Sequence, residues 1–202
     1  MRRTPGQGLT KEQALQRLFE GHWRYMARKP QVHLVTEHDL ARHSEGQFPF
    51  ACVMGCADSR VSPEIIFDQG LGDLFVTRVA GNVLGSGTLA SIEYAVQHLG
   101  VRLLIVFGHE KCGAVAAALK ASDAPGAIGM LLREIAPAVN EARTQPGDLL
   151  QNAVENNVRR VAEAVAVRSE MMARMVRDGE VRIVGAVYRI ATGDVDIKAT
   201  IG

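Results

Sequence analysis

The chain is poor in cysteine: only Cys52, Cys56 and Cys112 occur in 202 residues. Three thiols are an odd number, and they are too sparse for the disulfide framework of a secreted scaffold. Reduced thiols suit a cytoplasmic protein. A charge excess is also missing, since 23 Lys and Arg face 22 Asp and Glu for a net charge of +1. No basic stripe offers phosphate neutralisation to nucleic acid, and no block of like charge marks a solvated tail. No apolar run approaches the roughly 20 residues that span a bilayer. Met1-Arg2-Arg3-Thr4-Pro5-Gly6 leads into a polar stretch rather than an apolar signal core. Internal repeats, low-complexity segments and a convincing linker are lacking too. The expectation is one domain over residues 1–202, long enough to bury a substantial core, with neither a nucleic acid nor a membrane as partner.

Hydrophobic patterning then orders the chain. Thr10-Lys11-Glu12-Gln13 has capping-box spacing and opens a helix carrying Leu15, Leu18, Phe19, His22 and Met26 at helical intervals, up to Pro30. The polar segment from Thr36 to Gln47 reads as a short helix or loop. Together these form an N-terminal helical arm of about residues 9–45. Short apolar runs at Phe50–Gly55, Leu74–Val79 and Leu103–Phe107 read as buried strands. Thr88 is placed to cap a helix bearing Leu89, Ile92, Val96 and Leu99, with Gly100 ending it. Helices are predicted at Gly113–Ala121 and Ala127–Arg143, and one long helix from Leu149 to Arg177. Asp178-Gly179 turns into a fourth strand, Val181–Tyr188, and Gly193-Asp194 into a last short one, Val195–Ile201. This alternation predicts an α/β fold with a mostly parallel sheet flanked by helices.

Against that background stand two motifs, Cys56-Ala57-Asp58-Ser59-Arg60 and His109-Glu110-Lys111-Cys112. Two thiolates and an imidazole suit tetrahedral zinc and leave its fourth position for water, whereas a structural site would normally be closed by a fourth protein ligand. Cys56 ends the first predicted strand and His109 the third. To grip one ion those strands must be sheet neighbours, about 4.8 Å apart, which puts the second strand on the far side of the first. The predicted partial order is 2-1-3-4, with an antiparallel last strand. Ligands of open α/β sheets sit at such a crevice beyond the strand ends. Asp58 can accept a hydrogen bond from a metal-bound water or bind the metal itself, and Arg60 can hold that carboxylate bidentately and ionised. Read alone, His-x-x-Cys is as readily a coincidence of a strand-to-helix turn, and Asp58 with Arg60 a surface ion pair.

Taken together, the residues closely resemble the β-class carbonic anhydrases, which carry Cys-x-Asp-x-Arg followed some fifty to sixty residues later by His-x-x-Cys. Arg78-Val79-Ala80-Gly81-Asn82 is similar to the family's Arg-x-x-x-Asn stretch, and Ser91-Ile92-Glu93-Tyr94 to its helix after the glycine loop. The resemblance runs from the helix around Leu15 to the strand pair after Tyr188. It implies one Zn2+ per chain on Cys56, His109 and Cys112, with Asp58 and Arg60 as the orienting catalytic dyad. The activity it implies is reversible hydration of CO2 to bicarbonate and a proton. Two thiolates offset the zinc charge, so a working pKa between about 7 and about 9 is expected for the zinc water. Gln47, Phe75 and Tyr94 match residues that line the family's substrate pocket across a dimer interface, implying a homodimer or a dimer of dimers (a homotetramer). From sequence alone, core packing accounts equally well for Phe75 and Tyr94, and simple solvation for Gln47.

A family branch with an inhibitory bicarbonate pocket has Trp three residues before the first cysteine, where this chain has Val53. Arg78 and Tyr188 match the other members of that pocket. Ala114 follows Gly113 where many members have a second glycine. Carbonyl sulfide or carbon disulfide hydrolysis on the same zinc site is the nearest alternative activity, and a zinc-bound regulatory module without turnover a further one. The loop Gly81-Asn82-Val83-Leu84-Gly85-Ser86-Gly87-Thr88 lacks the Lys of a P-loop and the spacing of a dinucleotide fingerprint, so it reads as a glycine turn feeding a helix.

Overall fold

A computed structural model describes residues 8–202. The Met1–Gly6 segment, read above as lacking a signal core, lies outside the described residues. Helix α1 (Lys11–Met26) begins where Thr10 completes its capping box: the Thr10 hydroxyl accepts from the Gln13 N–H, and Gln13 Oε1 from the Thr10 N–H. It turns Ala14, Leu18, Gly21 and His22 inward. Leu15, Phe19 and Met26 of the predicted face are half-buried. A second capping box, Thr36 with Asp39, starts α2 (Glu37–Glu45), which buries none of its side chains.

The chain then alternates through β1 (Ala51–Cys56), α3 (Pro63–Ile66), β2 (Leu74–Val79), a 3₁₀ turn at Ala80–Asn82, α4 (Ser86–Gln97), β3 (Leu103–His109), α5 (Gly113–Lys120), α6 (Ala127–Ala142), α7 (Leu149–Arg168), α8 (Glu170–Arg177), β4 (Arg182–Tyr188) and β5 (Val195–Ile201). The five strands form one sheet in the order β2-β1-β3-β4-β5, with β5 alone antiparallel. This is the α/β architecture and the strand order expected from the two motifs.

Side-chain alternation along the strands divides the core in two. Cys52, Met54, Leu104, Val106, Ile183 and Val187 face a large core closed by α4 to α8. Ala51, Val53, Leu103, Ile105, Phe107, Val184 and Ala186 face a smaller one closed by α1 and α3 through Ala14, Leu18, Ile66 and Phe67. Phe67 and Phe107 pack with ring centroids 5.0 Å apart. Under the large core α7 comes very close to the sheet. A Cβ on Gly108 would stand 2.3 Å from Val158 Cγ2, so only glycine fits at that point of β3.

Three expectations are corrected. The predicted long helix is two helices, broken at Ser169, whose backbone is extended (φ −125°, ψ 111°). Its hydroxyl donates to Glu93 Oε1 at 2.6 Å and accepts from the Met172 N–H at 3.2 Å, so it caps α8 while tying it to α4. Gly85 rather than Thr88 precedes α4, because Thr88 already lies inside the first turns with its side chain buried. The short helix α3, opened by Pro63, and the 3₁₀ turn were not anticipated.

Candidate metal centre

Residues Cys52–Gly55 of β1 run beside Leu104–Phe107 of β3, so Cys56 and His109 finish neighbouring strands at the same edge of the sheet. Beyond His109 the chain bends through Lys111, which adopts a left-handed backbone (φ +54°), and Cys112 becomes the residue that precedes α5. There the thiol meets the Ala114 and Val115 N–H groups at the positive end of the helix. One donor atom each from Cys56, His109 and Cys112 lies within 4.8 Å of the others, and all three residues are buried.

The donors fit a zinc ion. The two sulfurs are 4.0 Å apart; two thiolates tetrahedrally disposed about one zinc, each at about 2.3 Å, would be about 3.8 Å apart. His109 Nδ1 lies 2.9 Å from the Glu110 carbonyl, which can only accept, so Nδ1 carries the proton and Nε2 offers its lone pair. That Nε2 is one of two buried side-chain nitrogens without a hydrogen-bond partner among the described residues, the other being Asn82 Nδ2. A lone pair buried beside two thiols is what a metal satisfies. The thiols are electrostatically unequal. Cys56 is held well below the usual thiol range, chiefly by a hydrogen bond from the Cys112 thiol and further by the Asp58 and Gly81 amides. Cys112 is pushed up by the same bond and by burial. A metal ion between them would favour the thiolate form of both. Cys52, buried in β1, has its thiol pushed up to about 12 by burial and is inert.

Asp58 and Arg60 border the cluster. Asp58 Oδ1 accepts from the Arg60 backbone N–H at 3.0 Å and from Arg60 Nε at 2.9 Å, while Oδ2 accepts from Nη2 at 2.8 Å. Oδ2 is also 3.8 Å from His109 Nε2, on the donor side of the cluster. The Arg60 guanidinium holds the Asp58 carboxyl well below the usual carboxylate range. Arg78 secures this loop from the neighbouring strand, with Nε donating to the Cys56 carbonyl at 2.8 Å and Nη2 to the Asp58 carbonyl at 2.6 Å.

Five of the eight sequence-predicted site residues thus meet at one end of the sheet. Gln47, Phe75 and Tyr94 do not join them within the chain. Phe75 is paired with Cys52, four residues before Cys56, which is about 13 Å back along the strand at roughly 3.3 Å per residue. Its ring lies tilted against that of Tyr94, centroids 6.2 Å apart; Tyr94 is 46% exposed, and Gln47 lies exposed before β1. Arg78 and Tyr188 have engagements of their own, for Tyr188 a 2.7 Å hydrogen bond to the Tyr25 hydroxyl. Sequence reasoning missed the strap formed by Arg78 and a buried contact from Asn157, whose Nδ2 donates to the Gly81 carbonyl at 2.9 Å. Neither leaves a local sequence signal, since their partners lie 20 and 76 residues away.

Sheet and cluster define an α/β protein with a Cys-His-Cys cluster that could hold a metal ion, at the switch point between two parallel strands. The comparisons agree on which family of such proteins this is. The carbonic anhydrase family model matches residues 51–195. Carbonic anhydrase 2 of Mycobacterium tuberculosis is 42% identical over 192 residues, spanning 92% of this chain and 91% of its own. The carbonic anhydrase of Mycolicibacterium smegmatis is 36% identical over 189 residues, 92% of each. Among solved structures, the Coccomyxa β-carbonic anhydrase in complex with acetazolamide superposes with a TM-score of 0.70 at 27% identity, covering 80% of this chain and 77% of the other. The chain belongs to the β-class carbonic anhydrase family.

Proposed function

We propose that the protein catalyses the reversible hydration of CO2 to bicarbonate and a proton, with one zinc ion held by Cys56, His109 and Cys112. The observation that carries this reading is the Asp58–Arg60 pair closed beside a cluster of three buried ligands. Zinc in such a site supplies Lewis acidity toward water and hence a nucleophile near neutral pH, a rule itself drawn from carbonic anhydrases with three histidine ligands.

The chain's own residues do the rest. His109 presents Nε2 because Glu110 fixes the proton on Nδ1. With both oxygens engaged by Arg60, Asp58 would stay outside the set of Cys56, His109 and Cys112 that would hold the ion. Its ionised Oδ2 accepts a hydrogen bond from the attacking hydroxyl and so orients a lone pair toward the carbon of CO2. Arg78 keeps the Cys56–Asp58 backbone in register with that task.

The substrate pocket is completed by a second copy of the chain. Gln47, Phe75 and Tyr94 supply its walls to the partner rather than to their own metal centre, which accounts for the exposed Tyr94 ring on α4. A homodimer or dimer of dimers follows. The arm, residues 9–45, belongs to the same single domain, since α1 closes the smaller core. No helix among the described residues is long and apolar enough to cross a membrane, and three free thiols fit a reducing cytoplasm.

The test is stopped-flow CO2 hydration from about pH 6.5 to 9.5, in the window set by the acidity expected of zinc-bound water, with zinc content measured on the same sample. Turnover that rises with pH at one zinc per chain is expected. Stoichiometric zinc without turnover at any pH would overturn the reading.

A further inference from the structure

The 3₁₀ turn that follows β2 has an unusual backbone. Two successive residues, Gly81 (φ +66°) and Asn82 (φ +43°), adopt left-handed conformations, and Asn82 does so without the freedom of glycine. The turn directs the Gly81 N–H at Cys56 Sγ, 3.3 Å away. A peptide dipole aimed at a thiolate withdraws charge from it, and so changes how strongly that sulfur binds a metal. The close approach depends on glycine, since a Cβ there would stand 2.8 Å from Ile135 Cδ1 and 3.1 Å from Ala114 Cβ.

A strained turn of this kind persists only when its surroundings over-determine it. Here the polar restraint comes from far along the chain. Asn157, on α7 and 2% exposed, donates from Nδ2 to the Gly81 carbonyl at 2.9 Å. The same helix is pressed against β3 at Gly108, the residue before His109. One helix thus supports both halves of the ligand set, by packing under His109 and by a hydrogen bond behind Cys56.

We propose that Asn157 is a positioning residue of the metal centre, holding the Gly81 turn so that its N–H donates to the Cys56 sulfur. It touches neither substrate nor metal and acts through Gly81. The proposal rests on the zinc-site reading above and extends it to a residue outside both motifs.

The experiment compares Asn157→Leu with wild type and with Val161→Ala, one turn further along α7 and lining the same cavity as Asn157. Two readouts do not depend on turnover: the rate at which a chelator removes zinc, and the thiolate-to-metal charge-transfer band of the Co2+-substituted protein. The expected result is zinc loss about 10-fold faster or more in N157L, the scale typical of a lost ligand-supporting hydrogen bond, together with a shifted band. V161A should keep both wild-type values while melting earlier. Unchanged zinc release and an unchanged band in folded N157L would overturn the proposal, as would equal changes in V161A. If N157L does not fold, Asn157→Ser, too short to reach Gly81, takes its place. Failure of both to fold would overturn the assignment by showing that the contact serves the fold. Wild type separates the two readings: without a thiolate band on Co2+ substitution, the metal-site reading itself fails.

Discussion

Arg60 grips Asp58 with two parallel hydrogen bonds, Nε to Oδ1 at 2.9 Å and Nη2 to Oδ2 at 2.8 Å, and adds its own backbone N–H to Oδ1. Arg60 is half exposed to solvent, so the pair contributes little to stability. Its effect is on the charge and direction of one carboxylate. Asp58→Asn and Arg60→Ala should therefore fold and retain zinc but lose CO2 hydration by about 100-fold or more, the scale of a lost proton-handling group. Metal content and stopped-flow rates on the same samples check this. Full hydration by either variant would remove the dyad from the mechanism.

The buried thiols predict how the protein responds to a chelator. The Cys56 and Cys112 sulfurs lie 4.0 Å apart in a buried cluster with His109, so a folded state that binds a metal there gains from it by mass action. Stripping zinc should lower the thermal midpoint, and one equivalent per chain should restore it. Cys112→Ser should bind zinc at least 10-fold more weakly, by calorimetry or competition with a chromophoric chelator.

Asp68 is nearly inaccessible and fastens the arm, accepting from Arg24 Nε at 2.5 Å, from the Gln31 N–H at 3.1 Å and from His33 Nε2 at 3.0 Å. Burial pushes its carboxyl up, but the bonds from Arg24, Gln31 and His33 outweigh burial and leave it below its ordinary value. A depressed carboxylate stabilises the fold fully above its unfolded pKa, about 3.9, and loses that contribution as pH falls toward the lower folded value. Amide exchange in residues 28–36, corrected for its intrinsic pH dependence, should therefore be constant at neutral pH and accelerate below about pH 4. Asp68→Asn should bring that acceleration to pH 7 and cost about 1–3 kcal/mol.

Ser169 offers a stability test remote from the metal. Its hydroxyl caps α8 and bonds Glu93, so Ser169→Ala should cost about 1–2 kcal/mol in denaturant unfolding. Zinc affinity should be unaffected.

The two motifs made the centre legible because each sits at a strand end, and one shared ion forces those strands together. The order β2-β1-β3 followed from that constraint, and β4 and β5 from alternation and turn residues. The break at Ser169 was illegible because Val165 and Met172 continue the helical period across it; only the contact with Glu93, 76 residues away, explains the kink. Thr88 was misread for a related reason. A threonine before an apolar face looks like a cap, but burial claimed its side chain and Gly85 began the helix instead. Arg78 and Asn157 were invisible as supports because their bonds go to backbone carbonyls, which carry no residue identity.

The two cysteines that lie 4.0 Å apart are separated by 56 residues of chain, on segments joined only when β1 and β3 pair in parallel. Such pairing closes a long loop before it is rewarded, so it is slow relative to local structure. A nascent chain presents Cys56 long before it can offer His109 and Cys112 beside it. If the site takes zinc as proposed, tridentate capture of the ion would wait for the centre of the sheet, and zinc uptake during refolding would be a clock that stops when the two middle strands have met.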